Sequence, residues 1–103
     1  MKVQDRLLAK FCQGVRYPTV SGFEVLELLD IRSTLAQREG KLSEEGKKRL
    51  EEADSLFLQN AQQFYESVTR VANLEEMRKR ASVPPSHWWW YLEKLVRAER
   101  AAV

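Results

Sequence analysis

The run from Ser43 to Val71 constrains this chain more than any other feature. It contains no proline, and its single glycine, Gly46, falls in what would be a first helical turn. Advancing about 100° per residue aligns Leu50, Phe57, Phe64 and Val71 in one slowly drifting column. Ala61 and Val68 fall beside it, and Leu58, Tyr65 and Ala72 form the other flank. The apolar arc spans roughly 140°, wider than the seam of a two-stranded coiled coil, so such a helix needs two or three neighbours. Ser43 is placed to cap it, and Glu44 and Glu45 put carboxylates where the helix macrodipole favours them. Glu51, Glu52, Gln59, Gln62, Gln63, Glu66 and Arg70 make the opposite, solvated face. An unbroken helix here would be roughly 43 Å long. A chain of 103 residues can cover that length by lining up other helices along it or by pairing with a second copy.

That length points to a single domain over 1–103. Seventeen basic residues nearly balance fifteen acidic ones, so the net +2 exerts no global pull toward nucleic acid or acidic substrates. No apolar run approaches the ~20 residues of a membrane span, and no secretory pattern opens the chain. The lone Cys12 has no internal disulfide partner and reads as a small core residue. A reduced, cytoplasmic setting without membrane contact is therefore the expectation.

Around the long helix the remaining segments read as helices too. Val3, Leu7, Leu8 and Phe11 share a face over residues 2–13, with Gly14 placed to end that helix in the left-handed conformation. Ser21 and Glu24 form a capping box, and Val20 and Val25 have staple spacing. The helix they open, to about Arg38, is apolar almost all round and so reads as interior. Arg32 is the exception on that surface. If buried it requires a carboxylate, and Asp54, which interrupts the apolar face of the long helix, is the candidate. The alternative is that Arg32 snorkels to solvent. The short link around Gly40 makes these two helices an antiparallel hairpin. Asn73 and Glu76 suggest a second capping box before a short helix that ends at Val83-Pro84-Pro85-Ser86, and a last helix is expected over about 86–101. The predicted fold is an all-α bundle of four to five helices, built on the long hairpin of about 21–38 and 43–71.

The segment His87-Trp88-Trp89-Trp90-Tyr91 is the most unusual composition. On an α-helical wheel Trp88 and Trp89 join Tyr91, Leu92, Leu95 and Val96 on a core arc, and Trp90 falls opposite, near Lys94 and Arg97. Three readings of Trp90 follow. It lies over the stems of Lys94 and Arg97, or it anchors a partner protein together with them, or it is buried under the N-terminal segment.

Signatures of catalysis are sparse. One histidine and one cysteine supply no zinc set, no Glu-x-x-His pair suggests a di-iron site, and no glycine-rich loop suggests a phosphate cradle. No cofactor or metal is expected. The adjacent acids Glu44-Glu45, Glu51-Glu52 and Glu75-Glu76 diverge on a helix and read as solvated. An enzyme would need a deep pocket containing His87 or Arg32 with convergent polar groups. From Arg70 onward seven basic residues stand against four acidic ones, a local +3. Arg78, Lys79, Arg80 and Arg100, with Lys94 and Arg97, would make a basic stripe if the last two helices pack side by side. The expected function is a non-enzymatic protein–protein interaction or adaptor module, its partner another protein or its own copy through the long helix. Weak nucleic-acid binding through the basic stripe is the alternative, and an enzyme without recognisable motif comes third.

Overall fold

The structure, a computed structural model, describes residues 2–18 and 20–101, with the side chains of 97–101 excepted. Among the described residues all regular structure is helical. The helices are α1 (Val3–Arg16), α2 (Gly22–Gln37), α3 (Glu44–Gln59), α4 (Ala61–Thr69), α5 (Leu74–Ala81) and α6 (Leu92–Ala101), with 3-10 turns at Glu39–Lys41 and Trp88–Trp90. No described helix is long and apolar enough to cross a membrane.

Local signals set the helix starts. The Ser21 hydroxyl accepts from the Glu24 amide at 3.2 Å and the Glu24 carboxylate accepts from the Ser21 amide at 3.0 Å, the reciprocal box the spacing predicts. Ser43 accepts from the Gly46 amide at 3.0 Å. Asn73 accepts from the Glu76 amide at 3.1 Å, but the Glu76 carboxylate turns instead toward Arg80, 3.7 Å away. Helix α5 ends with Ser82 in the left-handed region (φ 50°), while the Val83 amide donates to the Arg78 carbonyl at 3.0 Å.

The continuous helix expected over 43–71 is interrupted at Asn60, whose backbone (φ −100°, ψ 10°) separates α3 from α4. The Asn60 side chain donates to the Val15 carbonyl at 2.8 Å, satisfying one of the orphan acceptors at the end of α1. Size gives the broader reason, since a straight rod of roughly 43 Å would overrun a body whose longest axis is 35 Å. The apolar column survives the break. Phe57 and Phe64 stack with ring centres 5.2 Å apart, Phe11 from α1 stacks on Phe57 at 6.3 Å, and all three are fully buried. Leu58 and Val71, expected on the buried arc, are exposed.

Packing also departs from a simple α2–α3 hairpin. Helix α1 packs against both α2 and α3, and α4 packs against α2 and α6. Gly14 does not end α1, which runs on to Arg16; a Cβ there would lie 2.6 Å from the Leu28 Cδ1, so the glycine marks close approach of α1 to α2. At the far end of α2, a Cβ on Gly22 would lie 2.4 Å from the Ser67 carbonyl oxygen, which brings the first turn of α2 against α4. Helix α2 is interior along Val25, Leu28, Leu29 and Leu35, yet its Phe23 stands 69 % exposed.

Candidate functional site

The tryptophan run does not continue the last helix. The Trp90 amide donates to the His87 carbonyl at 3.1 Å and the Tyr91 amide to the Trp88 carbonyl at 3.0 Å, a 3-10 turn that precedes α6. Such a turn advances about 120° per residue rather than 100°, so the wheel that placed Trp90 on an outer face does not apply. Trp90 is 3 % exposed, which removes it as a surface anchor. Its indole reaches Ser33 on α2.

The three aromatic rings converge on one small residue. Trp89 Nε1 donates to Ser33 Oγ at 3.0 Å, Trp90 Nε1 donates to the same oxygen at 2.9 Å, and His87 Nδ1 lies 3.0 Å from it. A hydroxyl has two acceptor lone pairs and one proton, and an indole can only donate. The two indoles fill both lone pairs, so the Ser33 proton must go to His87 Nδ1. The imidazole is therefore neutral, with its proton on Nε2. Burial, and secondarily the positive charge of Arg32, hold the His87 pKa below its ordinary value.

Arg32 lies one residue before this hub and is 5 % exposed. Its Nε donates to Asp54 Oδ1 at 2.9 Å and its Nη2 to Asp54 Oδ2 at 3.0 Å, a two-pronged contact between α2 and α3. The guanidinium carbon sits 4.3 Å from the Trp89 ring centre, and the His87 ring stacks on Trp89 at 4.6 Å. The structure thus brings Arg32 and Asp54 together and adds Ser33, Trp89 and His87 around them. Ser33 carries no sequence motif; the signal that could have found it is the demand of buried indoles for an acceptor.

Two clefts adjoin at Trp88, which is half-buried and packs edge-on against Phe57. One, of about 420 Å³, is lined by Arg32, Gln37, Glu39, Ser86, His87 and the faces of Trp88 and Trp89. The other, of about 500 Å³, is mainly apolar, lined by Pro85, Trp88, Tyr91, Leu95 and Lys94. Lys94 lies with its ammonium 5.0 Å from the Tyr91 ring centre. Arg97 and Arg100 have side chains outside the described residues.

A Ser–His contact in hydrogen-bond range invites comparison with a nucleophile and its base. Here the serine is a poor nucleophile, since both lone pairs of its oxygen accept indole protons, and it does not line the cleft. Among the described residues no group of three His, Cys, Asp or Glu side chains is placed to hold a metal ion.

Of the expected basic stripe, Arg78 is spent within the fold. Arg78 is mostly buried: its Nη2 lies 2.7 Å from Glu93 Oε1, its Nη1 donates to the Trp90 carbonyl at 2.9 Å, and it stacks on Tyr91 at 4.3 Å. It ties α5 to the tryptophan turn and to α6. Lys79 and Arg80 are exposed and pair along their own helix with Glu75 at 3.5 Å and Glu76 at 3.7 Å.

Comparison with known proteins finds nothing significantly similar to this chain: no family model, no curated protein and no solved structure matches.

Proposed function

We propose that this protein is a non-enzymatic interaction module that holds an extended segment of a partner protein across Trp88. The observation that carries this reading is that Trp88 forms a wall of both clefts, one apolar and one rich in hydrogen-bonding groups. A segment crossing the ring would lay an apolar side chain against Pro85, Tyr91 and Leu95. Its backbone carbonyls would meet donors at the polar cleft, among them the Nε2–H of the neutral His87. Such alternation of apolar pockets and main-chain hydrogen bonds is how extended peptides are recognised. The site supplies its own rigidity, because the rings beside Trp88 are locked to Ser33, which keeps the ordering cost of binding low. Of the residues expected to meet a partner, Lys94 keeps that role at the rim, and Trp88 replaces Trp90 as the aromatic anchor.

A nucleic-acid interface has less support, since Arg78 serves the interior and Lys79 and Arg80 are neutralised by neighbouring glutamates.

Panning a random linear peptide library against the protein, followed by amide and indole N–H spectra of the selected complexes, tests the reading. Bound peptides should shift the Trp88 indole and Gln37 amide resonances and leave the Ser33-bound indoles of Trp89 and Trp90 nearly unmoved. Lys94→Glu should weaken peptides that carry a basic flank least and those with an acidic flank most. If no selected peptide perturbs Trp88, the assignment of this face is wrong.

A further inference from the structure

A third concavity shares no residue with the clefts about Trp88. It runs between α1 and α2, has a volume of about 370 Å³, and is walled by Lys10, Gly14 and Tyr17 on one side and by Glu24, Glu27 and Ile31 on the other. The spacings of three and four residues show that each helix presents one continuous face. No residue of α3 to α6 lines it. Tyr17, in this wall, is 62 % exposed, and Phe23, next to Glu24, is 69 % exposed; they are the two most exposed large apolar side chains described. Tyr17 thus leaves aromatic surface open in the groove wall, and Phe23 leaves more on the residue before Glu24.

The charges of the two walls differ in sign. The charged side chains exposed on α1 are Arg6, Lys10 and Arg16 against a single acid, Asp5. Those exposed on α2 are Glu24, Glu27 and Asp30, its only base, Arg32, being buried against Asp54. Lys10, Glu24 and Glu27 make no ion pair among the described residues.

We propose that a second copy of this chain occupies this groove, in a two-fold contact that lays α1 of each protomer along α2 of the other. In a two-fold interface, whatever residue i meets on its partner is met again in reverse, so a surface must be complementary to itself. A basic α1 beside an acidic α2 satisfies that condition: each Lys10 faces the partner's Glu24 and Glu27, twice per dimer. The aromatics of both copies are covered at the same time. The proposal puts self-association on α1 and α2, where the expectation from the amino-acid order put it on the 43–71 segment.

Sedimentation equilibrium over a wide micromolar range, on the full chain and on exposed-site variants checked for helicity, tests this. The wild type should dimerise, and Phe23→Ser should weaken it whatever the salt concentration. Lys10→Glu alone and Glu27→Lys alone each set like charges together at both symmetric contacts, and each should weaken the dimer about tenfold or more. Mixed in equal amounts, these two variants should associate with each other more tightly than either does with itself, because positions 10 and 27 are again opposite in sign at both contacts, although Glu24 still opposes the carboxylate introduced at position 10 at one of them. A wild type that stays monomeric throughout, variants that dimerise like the wild type, or a mixture that gains nothing over its components would each overturn the proposal.

Discussion

Ser33 Oγ lies 3.0 Å from His87 Nδ1, across 54 residues of sequence, and it is the hydroxyl proton that joins them. Two indole N–H groups occupy the remaining capacity of that oxygen. The contact therefore requires a neutral imidazole: a protonated ring would bring a third donor to an oxygen with two lone pairs.

Acid should loosen this hub. The folded-state pKa of His87 lies below its unfolded value, by burial first and the charge of Arg32 second. Between those two values the unfolded chain binds more protons than the folded one, so stability rises with pH across that window. The contribution of His87 is fully present above about pH 6.5 and is lost as pH falls toward the lower, folded value. Thermal midpoints measured from pH 8 to pH 5 should fall in the wild type and fall less steeply in His87→Gln, which keeps an acceptor but does not titrate. Identical slopes in the two proteins would contradict the neutral-ring assignment.

Removing the hydroxyl should cost more than one hydrogen bond. Ser33→Ala strands two buried indole donors and an imidazole nitrogen, each worth ~1–3 kcal/mol when left unmade, so a loss of about 3 kcal/mol in urea unfolding is expected. Tryptophan emission should shift to longer wavelength in the folded variant. A loss below ~0.5 kcal/mol would mean that the rings find other acceptors.

The Arg32–Asp54 pair predicts asymmetric mutational effects. Asp54→Ala leaves a guanidinium buried without its carboxylate and should destabilise by about 3–5 kcal/mol. Replacing both partners, Arg32→Met with Asp54→Leu, removes the charge and should recover most of that loss. Denaturant unfolding of Arg32→Met, Asp54→Leu and the double variant closes the cycle; additive losses would show that the pair is not coupled.

Two glycines separate close packing from an open turn. Gly22→Ala drives a methyl group toward the Ser67 carbonyl, which belongs to backbone and yields little, and should cost about 1–3 kcal/mol. Gly40→Ala meets nothing within 4 Å, and no glycine has positive φ, so it should be neutral or stabilise by up to about 1 kcal/mol. Thermal unfolding of both variants distinguishes the sites.

The features legible in the amino-acid order lie within three or four residues of each other or along one helix face. The starts at Ser21, Ser43 and Asn73 are of this kind, since cap and amide are neighbours along the chain. So is the buried column of Leu50, Phe57 and Phe64, which a single periodicity reveals. The need of Arg32 for a buried carboxylate also follows from its place on an apolar helix face. Contacts between distant segments set the rest. Asn60 interrupts the long helix where its side chain meets Val15, 45 residues away, and Gly14 is spent on approach to Leu28 rather than on ending α1. Trp90 turns inward because Ser33, 57 residues away, offers it an acceptor. Single-residue helix preferences differ by only ~0.7 kcal/mol or less among ordinary residues. Burying an indole and satisfying its N–H is worth several times that, at roughly 2–3 kcal/mol. At Trp88–Trp90 that burial depends on partners that no local pattern contains, and it overrides the helical wheel.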